Sequence, residues 1–130
     1  MTLTRDQIMS IDDLPTETVE VPEWGGSVIV RGLTAAERDD YELSSVQQRG
    51  KDRVVNLANL RARLVARSVV NEAGQRLFSD EDAELLGRKS GRAIERIFPT
   101  AQRLSGLSKK AVEEIAGNSG SEAADASPSD

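Results

Sequence analysis

Apolar and polar positions alternate with a period of two in only one part of the chain, residues 16–31, and follow a helical period almost everywhere after it. Val19 and Val21 alternate with Glu17 and Glu20, the pattern of a half-buried strand. Gly25 and Gly26 are placed to supply the positive φ of a hairpin turn. Residues 27–31 read as the return strand, with Val28 and Val30 on one face and Ile29 on the other. Pro22 has no N–H to give a ladder, so the first strand is expected at an edge. A two-stranded ribbon is marginal alone; it needs a helix beneath it, another strand beside it, or a partner.

Helix signals surround this ribbon. Thr4, with Gln7 three residues on, spells a capping box for a short N-terminal helix, and Asp12-Asp13-Leu14-Pro15 is turn chemistry. Thr34 with Glu37 repeats the box, with Leu33 at the staple position, and predicts a helix to about Gln48. Residues 53–70 are the best core candidate. Val54, Val55, Leu57, Ala58, Leu60, Ala62, Leu64, Val65 and Val69 fill a broad apolar arc, and Asn56, Asn59, Arg63 and Arg67 take the opposite side. So wide an arc predicts a central helix buried on two sides. Arg61 and Ser68 fall inside it. Arg61 is expected either to snorkel or pair with an acid such as Asp39 or Asp40, or to act as an interface charge.

Asn71-Glu72-Ala73-Gly74 is a turn, residues 75–78 are extended, and Ser79 caps the next helix. Asp80, Glu81, Asp82 and Glu84 suit the first turn of that helix. A calcium loop would need Gly where Leu85 stands. Ser90 or a neighbour opens a helix whose Ile94, Ile97, Phe98, Ala101, Leu104 and Leu107 keep their period across Pro99, which predicts either a kink or a restart there. Gly106 to Ser108 breaks it, and Ser108 caps a last short helix, 109–116. Residues 117–130 have no large apolar side chain and are expected to be disordered. The fold class is α+β and mostly helical: a small N-terminal β-hairpin (16–31) followed by about four to five helices (34–116) in one domain, 1–116, with a disordered acidic tail.

Composition narrows the chemistry. The only aromatics are Trp24, Tyr41, Phe78 and Phe98, so the core must be aliphatic. With no Cys and no His, the chain lacks the usual metal ligands, the thiol nucleophile and the imidazole base. No catalytic, metal or cofactor site is expected, and an enzyme is the weakest reading. The acid pairs Asp12-Asp13 and Asp39-Asp40 are adjacent in sequence, so their side chains diverge on regular elements. Gly87-Arg-Lys-Ser-Gly91 lacks the glycine spacing and residue order of a phosphate loop.

The net charge of −5 hides a segregation. Residues 1–48 carry ten acids against three bases, residues 49–118 fourteen bases against nine acids, and residues 119–130 three acids alone. Such blocks can steer copies together head to tail, or dock the hairpin half on the helical half. Arg88, Arg92, Arg96 and Arg103 fall near one helical stripe, yet a pI of 4.9 argues against nucleic acid as a partner. Neither a signal peptide nor a membrane span is legible, because Arg5, Asp6, Asp12 and Asp13 interrupt the start and no apolar run reaches about 18 residues. A cytoplasmic protein is expected.

The order of these pieces resembles the tail assembly chaperones of long-tailed bacteriophages and prophages. The matching segments are Ile-Asp-Asp-Leu-Pro-Thr-Glu (11–17), Val-Glu-Val-Pro-Glu-Trp-Gly-Gly (19–26) and Val-Arg-Gly-Leu-Thr-Ala-Ala-Glu-Arg (30–38). Farther on come the block from Leu64 to Ser79 and Ile-Phe-Pro-Thr-Ala-Gln-Arg-Leu-Ser-Gly-Leu-Ser (97–108). The resemblance implies a protein of the infected cell, missing from the finished virion, that binds the tape measure protein and helps tail tube protein polymerise around it. It also implies a companion form extended by programmed frameshifting near residues 117–130, and self-association is a further expectation. Candidate partner-binding residues are Trp24, Val28, Ile29 and Val30 on the hairpin, with Arg61 as an interface charge; each also has a reading as core, Trp24 as a lid beside the turn. The alternatives are a structural tail component, such as a connector or terminator, and a small regulatory protein.

Overall fold

The structure, a computed structural model, describes residues 1–49, 52–55 and 58–107. Strands β1 (Thr16–Val21) and β2 (Gly26–Arg31) form the expected antiparallel hairpin, with Thr18 opposite Ile29 and Val19 opposite Val28. Its turn differs from a two-glycine turn. Pro22–Trp24 make one 3₁₀ turn closed by Gly25 at φ 74°, while Gly26 already belongs to β2. Of the two turn glycines, Gly25 alone takes the left-handed conformation.

The ribbon gains a third strand. Val69–Val70, strand β5, pair antiparallel with β2, with Ile29 opposite Val70 and Val30 opposite Val69, so the sheet order is β1-β2-β5. β1 is therefore the edge that Pro22 foretells.

Both capping boxes form. Thr4 and Gln7 start α1 (Arg5–Ser10), and Thr34 and Glu37 start α2 (Ala35–Ser44). Helix α2 stops at Ser44, short of Gln48. The hydroxyls of Ser44 and Ser45 both donate to the Tyr41 carbonyl, at 2.7 and 3.0 Å, which competes with helix propagation. The chain then enters a second hairpin, β3 (Val46–Arg49) and β4 (Asp52–Val55). The helix expected over 53–70 is accordingly halved. Its first residues are strand, Asn59 sits at φ 55°, where a right-handed helix cannot continue, and α3 runs only over Leu60–Ser68. Its last two apolar residues are β5.

Ser79 and Asp82 make a further capping box ahead of a 3₁₀ turn and α4 (Ala83–Leu86). Ser90 caps α5 (Gly91–Leu104), which passes through Pro99 without interruption, so no new helix starts there. Gly106 at φ 71° follows its end. The expected helix 109–116 and the tail 117–130 lie outside the described residues.

Helix α3 is central, packed by α5, α4 and α2. Leu64, Val65, Ala66 and Val69 have no exposed surface, and they join Val21, Val30, Tyr41, Ile97 and Ala101 in one core. Two polar positions depart from expectation. Arg63 and Arg67, assigned to the solvent side of the helical wheel, are both buried. The reason is α2, which crosses that side of α3 and supplies acceptors: the Ser44 carbonyl and hydroxyl for Arg63, the Asp40 carboxylate for Arg67. Arg61 pairs with Glu95 at 3.2 Å instead of Asp39 or Asp40, and its guanidinium lies over the Phe98 ring at 5.5 Å. Ser68, inside the apolar arc, is buried with its hydroxyl donating to the Leu64 carbonyl at 2.8 Å.

Candidate functional site

The register of the sheet sorts its side chains. Val19, Val21, Val28 and Val30 point inward onto the core, whereas Thr18, Ser27, Ile29 and Val70 share the outer face. The Gly32 N–H donates to the Pro15 carbonyl at 2.9 Å, which fixes the alternation along β1: the backbone groups of Thr16, Thr18 and Glu20 point away from β2 into an open edge. The opposite side is closed. Leu77 N–H donates to the Val69 carbonyl at 3.1 Å, continuing the ladder past β5.

Beyond Val70, Asn71 folds the chain back, its Oδ1 accepting from the N–H groups of Ala73 and Gln75 at 2.9 and 3.0 Å, with Gly74 at φ 83°. This turn and the outer face of the sheet enclose a shallow concavity of about 490 Å³, lined by Thr18, Ser27, Val28, Ile29, Val70 and Leu77 among others. Leu77 stands at its rim, half exposed.

Two ion pairs tie the hairpin to α5: Glu23 to Arg96 at 2.7 Å and Glu17 to Arg103 at 2.9 Å. The hydrogen bond from Arg96 holds the Glu23 carboxyl below its usual range. These contacts absorb two of the four arginines of the basic stripe into acidic partners of the same chain.

The candidate residues are thus separated. Ile29 lines the concavity, Val28 borders it while facing the core, Trp24 is half buried and packs on the core, and Val30 is fully buried. Arg61 belongs to another patch, formed with Glu95 and Phe98 of α5. The sequence reading passed over the apolar side chains that the fold leaves outside: Leu77, Leu85, and Leu3, Ile8, Met9 and Ile11 around α1. The Leu3 and Ile8 spacing is the N′ and N4 spacing of a hydrophobic staple, a signal legible before folding.

Among the described residues no three acids are grouped to hold a metal ion, and no helix is long and apolar enough to cross a membrane. The surface offers binding contacts: a concavity of mixed polar and apolar lining, an open strand edge and an apolar arm. No curated protein and no solved structure matches the chain. A family model, phage tail assembly chaperone, matches residues 10–124, most of its length, and the chain belongs to that family of non-catalytic tail-building proteins.

Proposed function

We propose that the chain binds the tape measure protein through the outer face of its sheet and promotes polymerisation of tail tube protein around it. The observation that carries this reading is the outer-face concavity in which Ile29, Val70 and Leu77 stand among Thr18, Ser27, Asn71 and Glu72, on a member of a tail assembly family. A tape measure is a long helical client, and an amphipathic helix seats apolar side chains in such a depression at i, i+3 and i+4 spacing. The concavity is shallow and open, which suits transient cover of many similar client segments. Host cytoplasm is the compartment this role requires, the chain acts without catalysis, and a frameshift-extended form diverging near residues 117–130 would recruit tube subunits.

Co-expression with the adjoining tape measure gene tests the reading. Tape measure that stays soluble only when this chain is present supports it. Equal solubility with and without the chain removes it. Coding DNA without a slippery heptamer or overlapping frame would remove the extended form.

A further inference from the structure

We infer that the free edge of β1 is a second docking site, which takes an extended segment of another protein as a further strand, and that this segment carries basic residues at alternate positions. The N–H and carbonyl groups of Thr16, Thr18 and Glu20 point away from β2, and no described residue pairs with β1 on that side. All three residues are exposed. Such a row of unpaired donors and acceptors is a template for strand addition.

The edge is also unprotected. Its register with β2 runs from Thr16 opposite Arg31 to Val21 opposite Gly26 without a bulge, and it contains neither lysine nor proline. Pro22 comes only after the last open residue, where it limits the length of the site. The strand presents about 20 Å of backbone, enough for a short extended segment and too little for a long one.

Charge says what kind of segment fits. The arginines around the hairpin are engaged: Arg31 by Glu37 at 2.7 Å, Arg96 by Glu23 at 2.7 Å and Arg103 by Glu17 at 2.9 Å. Asp12 and Asp13, just before the edge, and Glu20 near its far end are exposed and have no ion pair among the described residues. Glu20 shares the outer face with Thr16 and Thr18, whereas Glu17 is on the inner face and already neutralised. A guest strand therefore needs cations on its outer face alone, which places them at every second residue. A second copy of β1 would bring the same unpaired acids and be repelled. The site is separate from the proposed seat of the tape measure, which is the face of the sheet and not its edge.

The test is calorimetric titration of the full chain with a blocked peptide, Lys-Val-Lys-Thr-Lys-Val-Lys, joined to amide hydrogen exchange. Saturable binding that weakens with salt is expected, with exchange at the Thr16, Thr18 and Glu20 amides slowed by about tenfold or more. The same peptide N-methylated at its inner lysine nitrogens keeps its charge but cannot complete a ladder, and it should not bind. Nor should the counterpart with Glu in place of Lys. Glu20→Lys should weaken binding of the basic peptide about three- to fivefold. Thr18→Pro should abolish it while keeping a cooperative melt, because that N–H lies outside the β1-β2 ladder; if the variant does not fold, the N-methylated peptide decides the same point. No binding, equal binding by the N-methylated peptide, or protection confined to Ile29 and Val70 would overturn the inference. So would a Glu20→Lys chain that binds the basic peptide as tightly as the parent.

Discussion

Arg67 and Asp40 are paired across the contact between α3 and α2 at 2.9 Å, although the arginine side chain is 4% exposed and the aspartate 51%. The buried guanidinium is satisfied from several sides. It donates to Asp40 from Nε at 3.2 Å and to the Arg63 carbonyl at 2.9 Å, approaches Asp80 at 3.6 Å, and lies over the Tyr41 ring at 6.0 Å. One cation thereby joins α2, α3 and the turn before α4.

Asp40→Ala leaves that cation with Asp80 as its remaining acid and should cost about 1–3 kcal/mol in urea unfolding. Arg67→Ala removes the hub and opens a void, and should cost about 3–5 kcal/mol. Equal losses in the two variants would show that the pair, not the hub, sets the stability.

The hydrogen bond from Arg76 holds the Asp80 carboxyl below the usual aspartate range. A folded-state value below the unfolded one means that its contribution is complete above the unfolded value and disappears as pH falls through the lowered one. Asp80→Asn should therefore flatten the acid limb of a stability-against-pH curve below pH 3.8. An unaltered acid limb would refute the assignment.

Tyr41 is the only tyrosine, so phenolate absorbance reports on it alone. Burial raises its pKa from 10.0 to about 12, against the opposing influence of Arg63, Arg67 and Arg61. The folded chain should show little phenolate at pH 11, and the chain in guanidinium should ionise near 10. Because the folded value is raised, the stabilisation is intact below pH 10 and declines as pH climbs toward 12.

Val30 and Ile29 are neighbours on opposite faces of β2, and aspartate at each should separate fold from binding. Val30→Asp places a charge in a fully buried position and should cost more than about 4 kcal/mol, abolishing the thermal transition. Ile29→Asp should keep a cooperative melt while losing tape measure rescue. A folded, fully active Ile29→Asp chain would count against the concavity.

At Gly32 an added Cβ would collide with the Leu104 carbonyl and come within 3.3 Å of Pro15 Cδ. Gly32→Ala should lower stability by about 1–3 kcal/mol, read as a drop in Tm. The position closes the hairpin exit against the end of α5, where the Leu33 N–H donates to Ser105 Oγ at 3.0 Å.

What could be read from sequence was local. The boxes at Thr4 and Thr34, the edge marked by Pro22 and the period across Pro99 each depend on residues within one or two turns. The second hairpin was hidden because a short β-branched run such as Val54-Val55 fits a helical arc as well as a strand. Arg63 and Arg67 appeared solvent-facing because their acceptors come from α2, some twenty residues earlier. For the candidate site, the outward side of Ile29 was legible, while Leu77 was not, since only the docking of β5 beside β2 brings it to the same concavity.

The pairing of Ile29 with Val70 also has a temporal side. The hairpin is complete by Arg31, but its third strand is about forty residues downstream, which a ribosome adding about 5–20 residues per second makes over a few seconds. Throughout that interval the nascent chain has an unfinished sheet and no α5 to cover Val28 and Val30. Native structure is thus reached late in translation, and the newborn chaperone passes briefly through the exposed, sticky condition from which it is proposed to protect its client.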